Sequence, residues 1–247
     1  MSKHKNSLFK PNPSVWDVAP PGVSLELAKW SADHFQRHGR PLRLAIDAHY
    51  WQDHFDNDFK VDWLRKNSRE VNAVEKTVMY QIMTLLELSI HLIFVFDGPD
   101  RYNQHDLDSK PSKPESICLL KDLLNHLGVP FHQAPAEAAP ACVKLQQLGV
   151  VDSVWTNHSV ALTCGCREIV LFKEQHRHWK GAGISDESVT KHDALALLQK
   201  WDLDQSSLVL ALLLGGCEYS RGLPGWLVSV IYAGPKDVGV SSIRIPS

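Results

Sequence analysis

The sequence predicts an α/β fold, with a mostly parallel central sheet flanked by helices on both faces. Short apolar runs of strand length alternate along almost the whole chain with segments whose apolar residues recur every three or four positions. Two of the runs end in an acid: Leu42-Arg43-Leu44-Ala45-Ile46 leads into Asp47, and Leu92-Ile93-Phe94-Val95-Phe96 into Asp97. Carboxylates at the carboxyl ends of buried parallel strands lie where an open α/β sheet holds a metal or a phosphate. At 247 residues the chain has the length for one such domain around a single core.

The elements follow in order. Residues 1–13 read as a flexible arm, with Pro11 and Pro13 interrupting regular structure. A helix is expected over 24–38, with Ser24 as its cap, an apolar stripe of Leu25, Leu27, Ala28, Ala32 and Phe35, and Gly39 as its stop. A strand at 42–47 comes next. Then comes a helix over 71–88 with Val74, Val78, Ile82, Leu85 and Leu86 inward, and a second strand at 90–96. Residues 99–114 are polar, contain prolines and read as a loop. The next helix, 116–128, turns Ile117, Leu120, Leu123, Leu124 and Leu127 inward and stops at Gly128. A strand at 129–132, a helix at 136–149, strands at 154–156 and 168–172, and helices at 193–201 and 206–214 complete the pattern.

Composition narrows the function. The charged residues are 26 basic and 28 acidic, a formal net charge of −2, so no global field attracts nucleic acid, whose binding depends on neutralised phosphates. There are five cysteines. Cys118 and Cys142 fall in predicted helices and read as small core residues, while Cys164 and Cys166 are too close for a zinc knuckle. Reduced thiols and an intracellular protein are expected, the nucleus ahead of the cytoplasm. The polar start and the absence of an 18-residue apolar run give no sign of export or of a membrane span. No small-molecule substrate is expected.

The ordered series Ile46-Asp47-Ala48-His49, Phe94-Val95-Phe96-Asp97-Gly98-Pro99, Ala134-Pro135-Ala136-Glu137-Ala138 and Leu145 to Asp152 resembles the XPG/flap-endonuclease family, above all its Holliday-junction-resolvase-like fungal members. Thr156 to Gly165, Leu212 to Gly216 and Arg221 to Gly225 continue it. The resemblance implies a PIN-like domain over 14–225, and cleavage of branched DNA by a pair of Mg²⁺ ions held by about seven carboxylates. Asp47, Asp97 and Glu137 match the first half of that cage, with Glu218 as a stand-in near its end. Elsewhere the chain departs from the pattern: Ala139, His158 and Val160 stand where the family carries acids, and Cys217 interrupts the Gly-Gly-acid element. Of the family's basic run after Asp-Gly-Pro only Arg101 remains as a nucleic-acid contact. The short tail, 226–247, takes the place of the expected helix–two-turn–helix DNA clamp.

Three readings stay open. The chain is a catalytically impaired member that binds branched DNA, RNA or a protein partner. Alternatively, it is a weakly active Mg²⁺-dependent structure-specific endonuclease of DNA repair, with at most one ion on Asp47, Asp97 and Glu137. The third is a protein-binding scaffold without nucleic-acid contact. His49, His132 and His158 are of a type that suits zinc, but among 13 histidines chance neighbours are expected. The basic, aromatic segment 176–180 reads as a solvated loop ahead of a nucleic-acid contact.

Overall fold

A computed structural model describes residues 14–67, 72–100, 114–173, 188–217, 220 and 222–223. The backbone divides into two compact units, one spanning Gly22–Ala194 and the other made of the described residues up to Pro21 and from Leu195 onward.

The larger unit runs β1 (Val23–Glu26), α2 (Leu27–His38), β2 (Arg43–Asp47), α3 (Ala48–Asp56), α4 (Phe59–Asn67), α5 (Ala73–Glu87) and β3 (His91–Phe96). It continues through α6 (Pro114–Leu127), β4 (Phe131–Gln133), α7 (Ala138–Gln147), β5 (Ser153–Trp155), α8 (Val160–Thr163), β6 (Glu168–Phe172) and β7 (Ser188–Asp193). Its strands form one seven-stranded sheet in the order β1-β7-β6-β5-β2-β3-β4. The five strands from β6 to β4 are parallel, while β7 and β1 add antiparallel at the edge. The expected α/β class with a mostly parallel sheet is what the structure has.

The central parallel pair is held at its amino ends by charge. Asp152 accepts from both Arg40 guanidinium nitrogens at 2.8 and 2.6 Å and from the Arg43 amide at 2.9 Å. The Asp152 amide donates back to the Arg43 carbonyl at 2.8 Å, so this cluster sets where β2 meets β5. Burial on its own would raise the Asp152 carboxyl. Arg40 and Arg43 outweigh it and hold the group well below the usual carboxylate range.

Several sequence expectations need correcting. Residues 24–26 are strand, not helix: Ser24 pairs with Thr190 and Leu25 with Val189 in the antiparallel ladder. Helix α2 therefore starts at Leu27 and buries Leu27, Trp30, Ser31 and His34 rather than Ala28, Ala32 and Phe35. Phe35 is 55 % exposed. The ladder fixes how the chain enters the helix, and the Ser31 hydroxyl, donating to the Leu88 carbonyl at 2.8 Å, makes a polar residue welcome on the inner face. Gly39 does end the helix, in the left-handed conformation at φ 66°. In α5, Leu86 faces outward, leaving Val74, Val78, Ile82 and Leu85 as the buried row. Cys118 is exposed, although Cys142 is buried as expected, and none of the five cysteines is in a disulfide.

The core centres on Trp51, Trp155, Phe94, Leu44, Ile46, Ile82, Leu85, Leu120 and Leu124, all fully buried. Trp51 meets Trp155 and Phe94 edge-on at centroid distances of 5.0 and 5.4 Å, a favoured aromatic geometry.

In the smaller unit, α1 (Val15–Val18) opens with a capping box between Ser14 and Asp17. Helices α9 (Ala194–Trp201) and α10 (Gln205–Gly215) bury Leu197, Trp201, Leu208 and Leu212, and Asp204 caps α10 through the Ser207 amide at 2.7 Å. No helix among the described residues is long and apolar enough to cross a membrane.

Candidate functional site

From β2 the sheet grows through β3 and β4 on one side, and through β5, β6, β7 and β1 on the other. The reversal falls between β2 and β5, and in open α/β sheets the crevice outside the carboxyl strand ends at such a point is where ligands bind. Ile46 pairs with Trp155 and Asp47 with Val95, so Asp47 and Thr156 leave the sheet side by side, with Asp97 just past β3.

Asp47 is 1 % exposed. It caps α3: one carboxylate oxygen accepts from the His49 amide at 3.1 Å and the Tyr50 amide at 3.3 Å. The other accepts from the Thr156 hydroxyl at 2.8 Å, and Thr156 in turn accepts from the His158 amide at 3.2 Å. His158 Nε2 lies 3.8 Å from that second oxygen. Its ring faces that of His49, with centroids 6.5 Å apart and planes 23° apart, and His49 Nε2 is 3.5 Å from Asp53 Oδ2. Burial lifts the Asp53 carboxyl above its ordinary range, although His49 and His158 pull the other way.

Asp97 and Glu137 are brought together by a tight crossing of two chain segments. The Ala134 amide donates to the Phe96 carbonyl at 2.9 Å, the Gly98 amide to the Ala136 carbonyl, and the Ala138 amide to Asp97 Oδ1 at 2.8 Å. Glu137 is the N-cap residue of α7, half-buried and without a side-chain capping bond. Gln133 donates to the Asp97 carbonyl, and Lys121 Nζ, 4.8 Å above the Phe96 ring, donates to Gln133 Oε1 at 2.6 Å. Cys142 of α7 is fully buried near Asp47 and Asp97. Burial first, then the charge of Asp47, Cys166 and Asp97, pushes its thiol well up, so it is a neutral packing group.

The glycine of Asp97-Gly98-Pro99 has a steric reason. A Cβ at position 98 would run into the Ala134 carbonyl oxygen and the Pro135 backbone, neither of which can swing aside. Gly98→Ala is accordingly expected to destabilise by about 1–3 kcal/mol, the usual cost of overpacking, read as a lower urea midpoint at unchanged slope. An unchanged midpoint would show that the crossing is looser than drawn.

The remaining sequence-predicted positions divide. Ala139 is 3 % exposed, packed with Ala138, Cys142 and Val143 on the buried face of α7. Val160 begins α8 and is half-buried. His132 stays exposed on β4, away from the His49–His158 pair. Cys217 bridges to Ser220 in the smaller unit. Arg101, Glu218, the 176–180 segment and residues 226–247 lie outside the described residues. Thr156, Asp53, Gln133 and Lys121 were missed in the sequence. Thr156 sits directly past a strand end and Asp53 four residues after His49, which is the signal that was available.

The acids that the described residues offer a cation at this crossing are Asp47, Asp97 and Glu137. Mg²⁺ asks for near-octahedral oxygen ligation at about 2.0–2.1 Å. Here both Asp47 oxygens and one Asp97 oxygen already accept hydrogen bonds, and histidine, valine and alanine occupy neighbouring positions. Among the described residues no three His, Cys, Asp or Glu side chains are placed to hold a metal ion.

Comparison with known proteins gives the lineage. Residues 128–218 match the XPG I-region family. Over 194 residues the chain is 26 % identical to the DNA repair protein RAD2 of Saccharomyces cerevisiae, covering 77 % of this chain and 17 % of that protein. Among solved structures, the catalytic core of Rad2 in complex with DNA substrate superposes with a TM-score of 0.69 at 26 % identity, covering 91 % of this chain and 67 % of that one. The Holliday junction-resolving enzyme GEN1, in complex with product DNA and Mg²⁺, superposes with a TM-score of 0.64 at 31 % identity, covering 86 % of this chain and 49 % of that one. The chain thus spans about half, or less, of most of the relatives it matches. By the strand-end acids, the sheet order and these likenesses together, the chain is similar to the XPG/flap-endonuclease proteins, and its residues 128–218 match their XPG I-region.

Proposed function

We propose that this chain is an XPG/flap-endonuclease-type domain that binds branched nucleic acid and cleaves it weakly or not at all. The observation that carries the reading is the closure around Asp47. Thr156, two α3 amides and the His158 imidazole surround the carboxylate whose strand-end position would otherwise receive a cation. Removing one positioned electrostatic group from a reaction centre costs about 10²–10³ in rate. Three acids of the resembled pattern are replaced at once, by Ala139, His158 and Val160. Even with strong non-additivity, efficient hydrolysis does not survive such a loss. Binding is supported by relatives solved with DNA and by the retained crevice at the sheet's reversal point. The RAD2 relative, a DNA repair protein, favours the nucleus as the working compartment.

The test incubates the full chain with 5′-flap and four-way-junction DNA in Mg²⁺ and in Mn²⁺, beside Asp97→Ala. The expected result is salt-sensitive binding with no Asp97-dependent cleavage. Cleavage abolished by Asp97→Ala would establish the weakly active nuclease instead, with Asp47, Asp97, Glu137 and Glu218 as its acids. Absence of binding at any salt concentration would leave the protein-binding scaffold.

A further inference from the structure

We propose that the surface at the amino end of β2 docks a protein partner through an acidic segment with an apolar anchor. Arg43 opens the strand and Asp47 closes it, about 13 Å away at 3.3 Å per residue, so docking leaves the crevice open. The inference is independent of what the crevice binds. Arg37, Arg40 and Arg43 gather here around one carboxylate, Asp152, which Arg40 and Arg43 neutralise between them. His34 ties Arg37 into the cluster: burial lowers its pKa against the pull of Asp152, and His38, Arg40 and Arg37 lower it further. Arg37 donates through Nε to the Asp33 carbonyl at 3.1 Å, and among the described residues nothing meets its two terminal nitrogens. Arg43 commits Nε and Nη2 to Asp152 and the Gly149 carbonyl, which leaves Nη1 open. Planar guanidinium donors in excess over carboxylates suit a further carboxylate.

Beside Arg43, α7 ends in a turn with Gly149 at φ 72°. The Val150 amide closes it on the Leu145 carbonyl and the Gly149 amide on the Gln146 carbonyl, both at 3.0 Å. Such a turn accounts for an apolar residue at Val150, which is 44 % exposed. It does not account for Leu148, at 65 % the most exposed large apolar side chain among the described residues. Aliphatic side chains beside spare guanidinium groups favour a peptide over a nucleic acid, whose bases stack on aromatic rings.

The probe is a fluorescein-labelled peptide of about 14 residues, four helical turns, with leucines on one face and glutamates on the other. It is titrated with the full chain and read by anisotropy, beside the same peptide with lysine for each glutamate and beside labelled duplex DNA. Saturable, salt-sensitive binding of the acidic peptide is expected, and none of the lysine peptide. Arg37→Glu and Leu148→Ser are each expected to weaken that binding by about tenfold. Both side chains are exposed and neither contacts Asp152, so the fold is expected to survive. Arg37→Gln, which removes the charge without reversing it, is expected to give an intermediate loss. Binding that neither Arg37→Glu nor Leu148→Ser changes lies elsewhere on the molecule and overturns the inference, as does the absence of saturable binding. Duplex DNA bound in place of the acidic peptide, and released by Arg37→Glu, would make the cluster a phosphate contact and overturns it too.

Discussion

Asp47→Ala is expected to lower the stability of the protein by about 3 kcal/mol, the largest effect of any single truncation in the crevice. The carboxylate is fully buried and accepts three hydrogen bonds, from the His49 and Tyr50 amides and from the Thr156 hydroxyl. Losing a helix cap costs about 1 kcal/mol, and each buried donor left unsatisfied costs about 1–3 kcal/mol. Relief from burying a charge offsets part of that sum. Asp47→Asn keeps one oxygen toward the two amides, while Thr156, which also accepts from His158, can turn its hydroxyl to meet the new amide group. Its expected loss is about 1 kcal/mol. Urea denaturation of the three proteins, each with and without EDTA, checks this. Destabilisation that is the same in both buffers supports a carboxylate retained for folding. Stability that depends on added Mg²⁺ and vanishes with Asp47→Ala would return Asp47 to cation binding.

Acidification is expected to weaken the fold before the carboxylates titrate, and His54 is the main reason. Its ring stacks on Phe172 at a centroid distance of 3.7 Å with planes only 4° apart, against Phe55 and Tyr50. Burial drives its pKa from 6.5 down to about 4, with Asp58 acting weakly the other way. A base whose folded pKa lies below its unfolded value binds fewer protons in the native state. Its contribution is therefore complete above about pH 6.5 and lost as pH falls toward 4. The shift corresponds to at most about 3 kcal/mol. His34 and His192, also lowered by burial, add in the same sense. Asp152, held low by its arginines, loses its contribution only as pH falls further, below the usual range of an unfolded aspartate. His54→Phe, which keeps the stack and removes the titration, should flatten the stability profile between pH 6.5 and 4. An unchanged slope in that variant would place the acid sensitivity elsewhere.

Much of the fold was legible because burial imposes a period on the sequence. The runs ending at Asp47 and Asp97 read as strands, and the Ile117 to Leu127 spacing as a helix, since both faces of the sheet are covered. Helices α3 and α4 were not foreseen. Their polar surfaces and interspersed histidines and aspartates mask the inward placement of Tyr50, Trp51, Phe55 and Val61. Strands β1 and β7 escaped notice for a different reason. They form the antiparallel edge, where β1 is mostly exposed and no continuous apolar run is needed.

The linear chain by itself determined the α/β class and the resemblance to the XPG/flap-endonuclease proteins. Each of these depends on residue identity and local period, which are written in the order of amino acids. Only the tertiary structure decided that Asp47 holds Thr156, that His158 and His49 face each other, and that Gly98 permits the crossing at Asp97. Those facts depend on strand register and on approaches between segments about 35 to 110 residues apart, and no local pattern encodes such distances.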